Sequence, residues 1–195
     1  MHIETHLKNM PTFETDRLIL RKVAVHDLDD VFEFSSDPEV AHRMTWEKND
    51  SKEETLSNFL QPTVDGYKQG QSGVWAIEYK EIEKVIGTCS LVAWSNEHEK
   101  AEIGYVLNRN FWGDGIATEA LQEVLTYAFG TLQLNRIEGG CDVDNTGSER
   151  VMLKAGMSFE GILRKNERIK GEFRDTKIFS ILKSEFDSVR TSFAK

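Results

Sequence analysis

The residues best placed to do chemistry lie mid-chain, in Trp112-Gly113-Asp114-Gly115-Ile116-Ala117-Thr118-Glu119-Ala120. A strand-like run ends just before them and a helical pattern starts within them. The first N–H groups of a helix have no partner inside it, and the helix dipole adds partial positive charge there. Glycines let the backbone approach an anion closely. Together these features make a cradle for a phosphate or diphosphate, although the same residues also suit a ligand-free strand-to-helix turn. A Walker-type loop is excluded, because Ile116 rather than Lys follows Gly115. A dinucleotide fingerprint fits poorly. Thr118 replaces its third glycine, and the acidic candidate Asp142 lies further on than the expected ~20 residues.

The surrounding pattern says what must hold this turn. Residues 13–21 read as a strand. Residues 26–36 read as a helix, with Leu28, Val31, Phe32 and Ser35 on one face and Asp37-Pro38 ending it. A second helix is expected over 52–68, with Leu56, Phe59 and Leu60 inward and Pro62 breaking or kinking it. Residues 74–79, 85–93 and 100–107 read as strands. In the third, Ala101, Ile103, Tyr105 and Leu107 share one face; Glu102, Gly104 and Val106 share the other. The helix after Gly115 should run about 15 residues and bury Ala117, Ala120, Leu121, Val124, Leu125 and Ala128. A strand over 136–143, a helix over 147–155 stopped by Gly156, and a hairpin of 159–167 and 173–183 turning near Lys170-Gly171 complete the pattern. The last ten residues are polar and expected to fray. The sum is an α+β (mixed α/β) fold of mostly antiparallel strands with one crossover, in a single domain.

Composition narrows the function. The 195 residues carry 24 Lys and Arg against 33 Asp and Glu, a net charge of −9. That argues against nonspecific binding to nucleic acid or an anionic membrane and suits a cationic partner. Cys89 and Cys141 have no metal or disulfide spacing, and the five histidines are scattered, so no metal site is expected. Trp46, Trp75 and Trp94 suit a core or the wall of an acceptor cleft. Residues 1–10 are polar, and no apolar run reaches the ~20 residues that span a bilayer. A cytoplasmic protein with reduced thiols is the expectation.

The central segment resembles the acetyl-CoA signature of the GNAT superfamily of N-acetyltransferases. That signature is Gln or Arg, two residues, Gly, one residue, then Gly or Ala; Gly115 and Ala117 fill its last two fixed places. Trp112 stands where Gln or Arg is usual, as in the branch that acetylates the N-termini of ribosomal proteins. Thr15 to Arg21, Ser36 to Val40, Ala101 to Tyr105 and Cys141 to Asn145 are also similar to that branch. The resemblance spans about residues 13–186, the core of one domain over 1–195.

It implies a twisted sheet with helices on both faces and a splayed strand pair that takes acetyl-CoA. The diphosphate would lie on the amides of Trp112, Gly113, Asp114, Gly115, Ile116, Ala117 and Thr118. The pantetheine arm would lie along Tyr105, Val106 and Leu107, with an oxyanion donor near Val106, and Asn145 would bond its amides. Ser148 matches a region where relatives place the acid that protonates the leaving thiolate; Thr146 and Glu149 also read as a helix capping box around it. Three carboxylates compete as base: Glu167, matched to the branch's hairpin residue, then Glu102, then Glu160.

The implied reaction is direct attack of a primary amine on the thioester, with no metal and no covalent enzyme intermediate. The implied acceptor is a protein N-terminal α-amine, a ribosomal protein's by the branch resemblance, or alternatively a small amine or polyamine. A non-catalytic acyl-CoA-binding regulatory module is a further alternative. The expected state is a monomer or homodimer.

Overall fold

The computed structural model describes residues 2–193. Eight strands form one mixed sheet in the order β1-β2-β3-β4-β5-β6-β8-β7. They are β1 (Phe13–Glu14), β2 (Leu18–Lys22), β3 (Gly73–Tyr79), β4 (Lys84–Ser95), β5 (Lys100–Leu107), β6 (Arg136–Asp142), β7 (Ser158–Ile169) and β8 (Glu172–Leu182). Only β5 and β6 pair in parallel. Period-two alternation gives the sheet two apolar faces. Leu18, Trp75, Cys89, Ile103, Ile137 and Phe179 face the larger core, which the helix α6 (Ile116–Gly130) covers with Ala120, Leu121, Val124 and Leu125. Ala76, Val85 and Val106 face a smaller core under α2 (Leu28–Ser35).

The structure corrects several details of the sequence reading. The opening strand is two strands, folded back at Thr15, whose Oγ1 accepts the Leu18 N–H at 2.9 Å. The polar-looking N-terminus forms α1 (Ile3–Lys8), because Ile3 and Leu7 fall on one side and are buried. After Asp37 the chain resumes as α3 (Pro38–His42), with Asp37 as its N-cap. In the second helix, α4 (Lys52–Thr55) and α5 (Gln61–Gln69) flank a π turn at Leu56–Leu60. The wide turn lies just before Pro62, where the missing N–H and the ring disfavour regular α-helix. Of the last ten residues, expected to fray, 186–193 instead continue α8 (Lys183–Phe193), anchored by Phe186 against Phe129 with ring centroids 5.0 Å apart. Residues 194 and 195 of the expected frayed tail lie outside the described residues. Among the described residues no helix is long and apolar enough to cross a membrane.

Candidate active site

Three rungs hold β5 to β6: Lys100↔Arg136, Ala101↔Ile137 and Glu102↔Glu138. Beyond them the strands part, while β5 stays paired with β4 as far as Leu107. The gap opens into a cleft of about 930 Å³ that reaches from the turn before α6 to the hairpin of β7 and β8. Asn108 donates its N–H to the Ile86 carbonyl on β4. Backbone groups alternate sides along a strand, so Val106 also turns its amide to β4, and Tyr105 and Leu107 turn theirs to the gap. The expected donor near Val106 is thereby corrected: its amide belongs to the β4 ladder, and its side chain lines the cleft.

At the other end of the cleft, Gly113 and Gly115 both have positive φ, 93° and 78°. Gly115 is the N-cap of α6, and the first helical bond runs from the Glu119 N–H to its carbonyl at 3.0 Å. No protein acceptor meets the amides of residues 113–118 among the described residues. Six neighbouring donors on a positive helix end fit a diphosphate. Trp112 donates Nε1 to the Leu107 carbonyl at 2.8 Å, fixing the turn to the end of β5. The Arg43 guanidinium lies 5.3 Å from the Trp112 ring centroid, so a cation borders the cradle although the signature's own Arg or Gln is missing.

One anchor of this turn was not legible from the motif. Glu119 would place a negative charge in the first turn, beside the bound anion. Arg17 pairs with it at 2.6 Å and also donates to the Asp114 carbonyl at 2.9 Å, while Thr15 donates to its other oxygen at 2.5 Å. Arg17→Met is expected to raise the KM for acetyl-CoA about three- to tenfold, and adding Glu119→Gln to recover most of it. Steady-state kinetics on the two single variants and the double variant checks this cycle.

Where β6 ends, α7 (Thr146–Lys154) begins with Asn145 as its N-cap, which accepts the Ser148 N–H at 3.1 Å. The cap expected at Thr146 is thus at Asn145, whose oxygen is spent on the helix. The Ser148 hydroxyl meets the Tyr105 hydroxyl at 2.7 Å, so these two candidates join β5 to α7 across the cleft. Burial pushes the Tyr105 phenol well above its ordinary range. Cys141 also lines the cleft, with its thiol pushed by burial up to about 11, which leaves no ready thiolate to act as nucleophile.

The carboxylates sort themselves by position. Glu102 and Glu167 line the cleft, and neither has an ion-pair partner among the described residues. Glu138 is held by Lys100 at 2.9 Å and Arg136 at 3.0 Å. Glu160 does not line the cleft; Arg136 holds it at 2.7 Å and Ser180 donates to it, which removes it from the competition for base. Although Glu102 is exposed at the cleft wall, partial desolvation, then the negative charges of Glu138 and Glu167, push its carboxyl above the usual range. Glu102 therefore holds its proton more tightly in the folded chain than in the unfolded one, and ionising it costs stability above the folded pKa. Glu102→Gln is expected to raise the Tm by about 1–3 °C at pH 7–8. The gain should fade as the pH falls to the unfolded value of about 4.3, and a scan of Tm against pH checks the sign.

The acetyltransferase (GNAT) domain family matches residues 17–158. The chain belongs to this family. An uncharacterized N-acetyltransferase of Bacillus licheniformis is 38% identical, over 91% of this chain and 99% of the relative. A GNAT-family acetyltransferase of Bacillus anthracis has a solved structure that superposes with a TM-score of 0.80 at 30% identity, covering 90% of this chain and all of that one. A ribosomal-protein-serine acetyltransferase of Escherichia coli is 29% identical over 70% of this chain and 75% of the relative. As a GNAT protein, the chain is an acetyl-CoA-dependent N-acetyltransferase, and its unpaired amides at 113–118 suit the diphosphate of that substrate.

Proposed function

We propose that this GNAT protein acetylates the N-terminal α-amine of a polypeptide by direct attack on the thioester. The observation that carries the reading is the pair Glu102 and Glu167, unpaired carboxylates in the same cleft as the free amides of β5. The Gly115 turn binds the diphosphate, and the amides of Tyr105 and Leu107 hold the arm and the carbonyl oxygen as negative charge develops on it. Glu167 takes the proton from the attacking nitrogen, and Glu102 lines the same cleft. Ser148, backed by Tyr105, lies within the same cleft to return a proton to the departing thiolate. The Escherichia coli relative, which acts on a ribosomal protein, supports a polypeptide acceptor. The two free, buried cysteines are in keeping with a reducing, cytoplasmic setting.

A panel of peptides, polyamines and small amines with thiol-release detection tests the proposal. Turnover of peptides with free N-termini, and none of N-terminally blocked ones, is expected. Turnover of polyamines alone would move the acceptor to small molecules. Tight acetyl-CoA binding with no turnover of any amine would make the chain a binding module.

A further inference from the structure

About half of the lysines and arginines are matched by a carboxylate among the described residues. Lys80 pairs with Glu14, Lys84 with Glu33, Lys100 with Glu138, Arg136 with Glu160 and Lys177 with Glu149. The hairpin of β7 and β8 gathers four that are not. Arg164, Lys165, Arg168 and Lys170 have no carboxylate partner among the described residues. Arg168 leans on the Phe173 ring and donates to the Gly171 carbonyl, while Lys170 donates to the Ala41 carbonyl at 2.6 Å. The hairpin's own acids are engaged elsewhere. Glu160 is on Arg136, Glu172 is on Arg174, Asp175 accepts the Lys165 N–H, and Glu167 lies in the cleft.

Arg164, Lys165 and Arg168 lie on β7, the last strand of the sheet, whose outer edge is unpaired and which bulges between Leu163 and Glu167; Lys170 lies in the turn after it. Apolar side chains accompany them: Ile162 and Leu163 are each 49% exposed and Phe173 is 64% exposed. An open strand edge, apolar contacts and uncompensated positive charge are the complement of an acidic polypeptide segment. The cleft begins on the same strand, at Glu167. At about 3.3 Å per strand residue, Arg164 is at most about 10 Å along the chain from it and Lys165 about 7 Å, and the bulge between them shortens both.

We infer that the hairpin is a docking surface for an acidic stretch of the acceptor polypeptide, a few residues after the amine that enters the cleft. This rests on the polypeptide-acceptor reading and adds a charge to it: a cationic amine towards Glu102 and Glu167, and acidic side chains towards Arg164, Lys165 and Arg168.

The test uses the full chain and peptides that share their first residues but carry Glu, Gln or Lys at about positions four to seven, with butylamine as a small acceptor. The Glu peptide should exceed the Gln peptide in kcat/KM by about tenfold at low salt, and the advantage should shrink as ionic strength rises past about 0.15 M. Arg164→Gln with Lys165→Gln and Arg168→Gln should abolish the preference and leave the Gln peptide, butylamine and the acetyl-CoA KM unchanged. Arg164→Glu with Lys165→Glu should turn the preference towards the Lys peptide. Equal rates for Glu and Gln peptides would overturn the inference while leaving the polypeptide reading intact. So would variants that self-associate but keep the preference, since the cations would then only guard an open edge. Turnover of butylamine with no peptide accepted would end both readings.

Discussion

Glu167→Gln is expected to lower kcat by about 10²-fold or more, with the KM for acetyl-CoA changed less than about twofold. The attacking amine must lose its proton as it bonds to carbon, and the glutamine side chain cannot take it. Glu167 does not line the diphosphate end of the cleft, so its removal leaves binding there alone. Glu102→Gln should act differently. It leaves the base in place and should cost only a modest loss of maximal rate. If instead Glu102→Gln costs the larger part of kcat and Glu167→Gln keeps a near-normal rate, the two residues exchange roles.

Gly115→Val should weaken acetyl-CoA binding by about ten- to a hundredfold, measured by calorimetry. Space is not the reason: a Cβ at Gly115 would meet Arg17 only at 3.8 Å. The reason is φ. At 78° an L-residue is strained by about 1–2 kcal/mol, and a β-branched one by more. Relief requires the turn to rotate, and rotation scatters the amides that converge on the anion. The rate at saturating acetyl-CoA should recover towards normal, because the carboxylates lie at the far end of the cleft. An unmoved dissociation constant would show that this turn is not the anchor.

Much of the architecture was legible because its signals are local. Alternation along residues 100–107 gave both faces of β5, and the stripe from Ala120 to Ala128 gave the buried side of α6. The chemistry of the diphosphate turn was legible for the same reason: two glycines and a helix start lie within a few residues. Long-range features left no such trace. Arg17 reaches Glu119 across 102 positions, and nothing in the spacing around either residue announces the pair. Lys100 and Arg136 remove Glu138 from the free carboxylates, and Arg136 with Ser180 removes Glu160, yet in sequence each looks like any surface acid. Which amides of β5 face the gap depends on strand parity, fixed by one bond from Asn108 to β4. The N-terminal helix was missed because Ile3, Leu7 and Met10 are too few to stand out among polar neighbours, though all three are buried.

The three rungs between β5 and β6 have a mechanical meaning. They make a seam where one half of the sheet, β1 to β5, is laced to the other, β6 to β8, by fewer paired residues than join any other neighbours except β1 and β2. A substrate arm lying along β5 would act as a splint across that seam. Cosubstrate supply would then govern not only turnover but how rigidly the two halves move as one body, and amide exchange in Tyr105 and Leu107 would slow whenever the splint is in place.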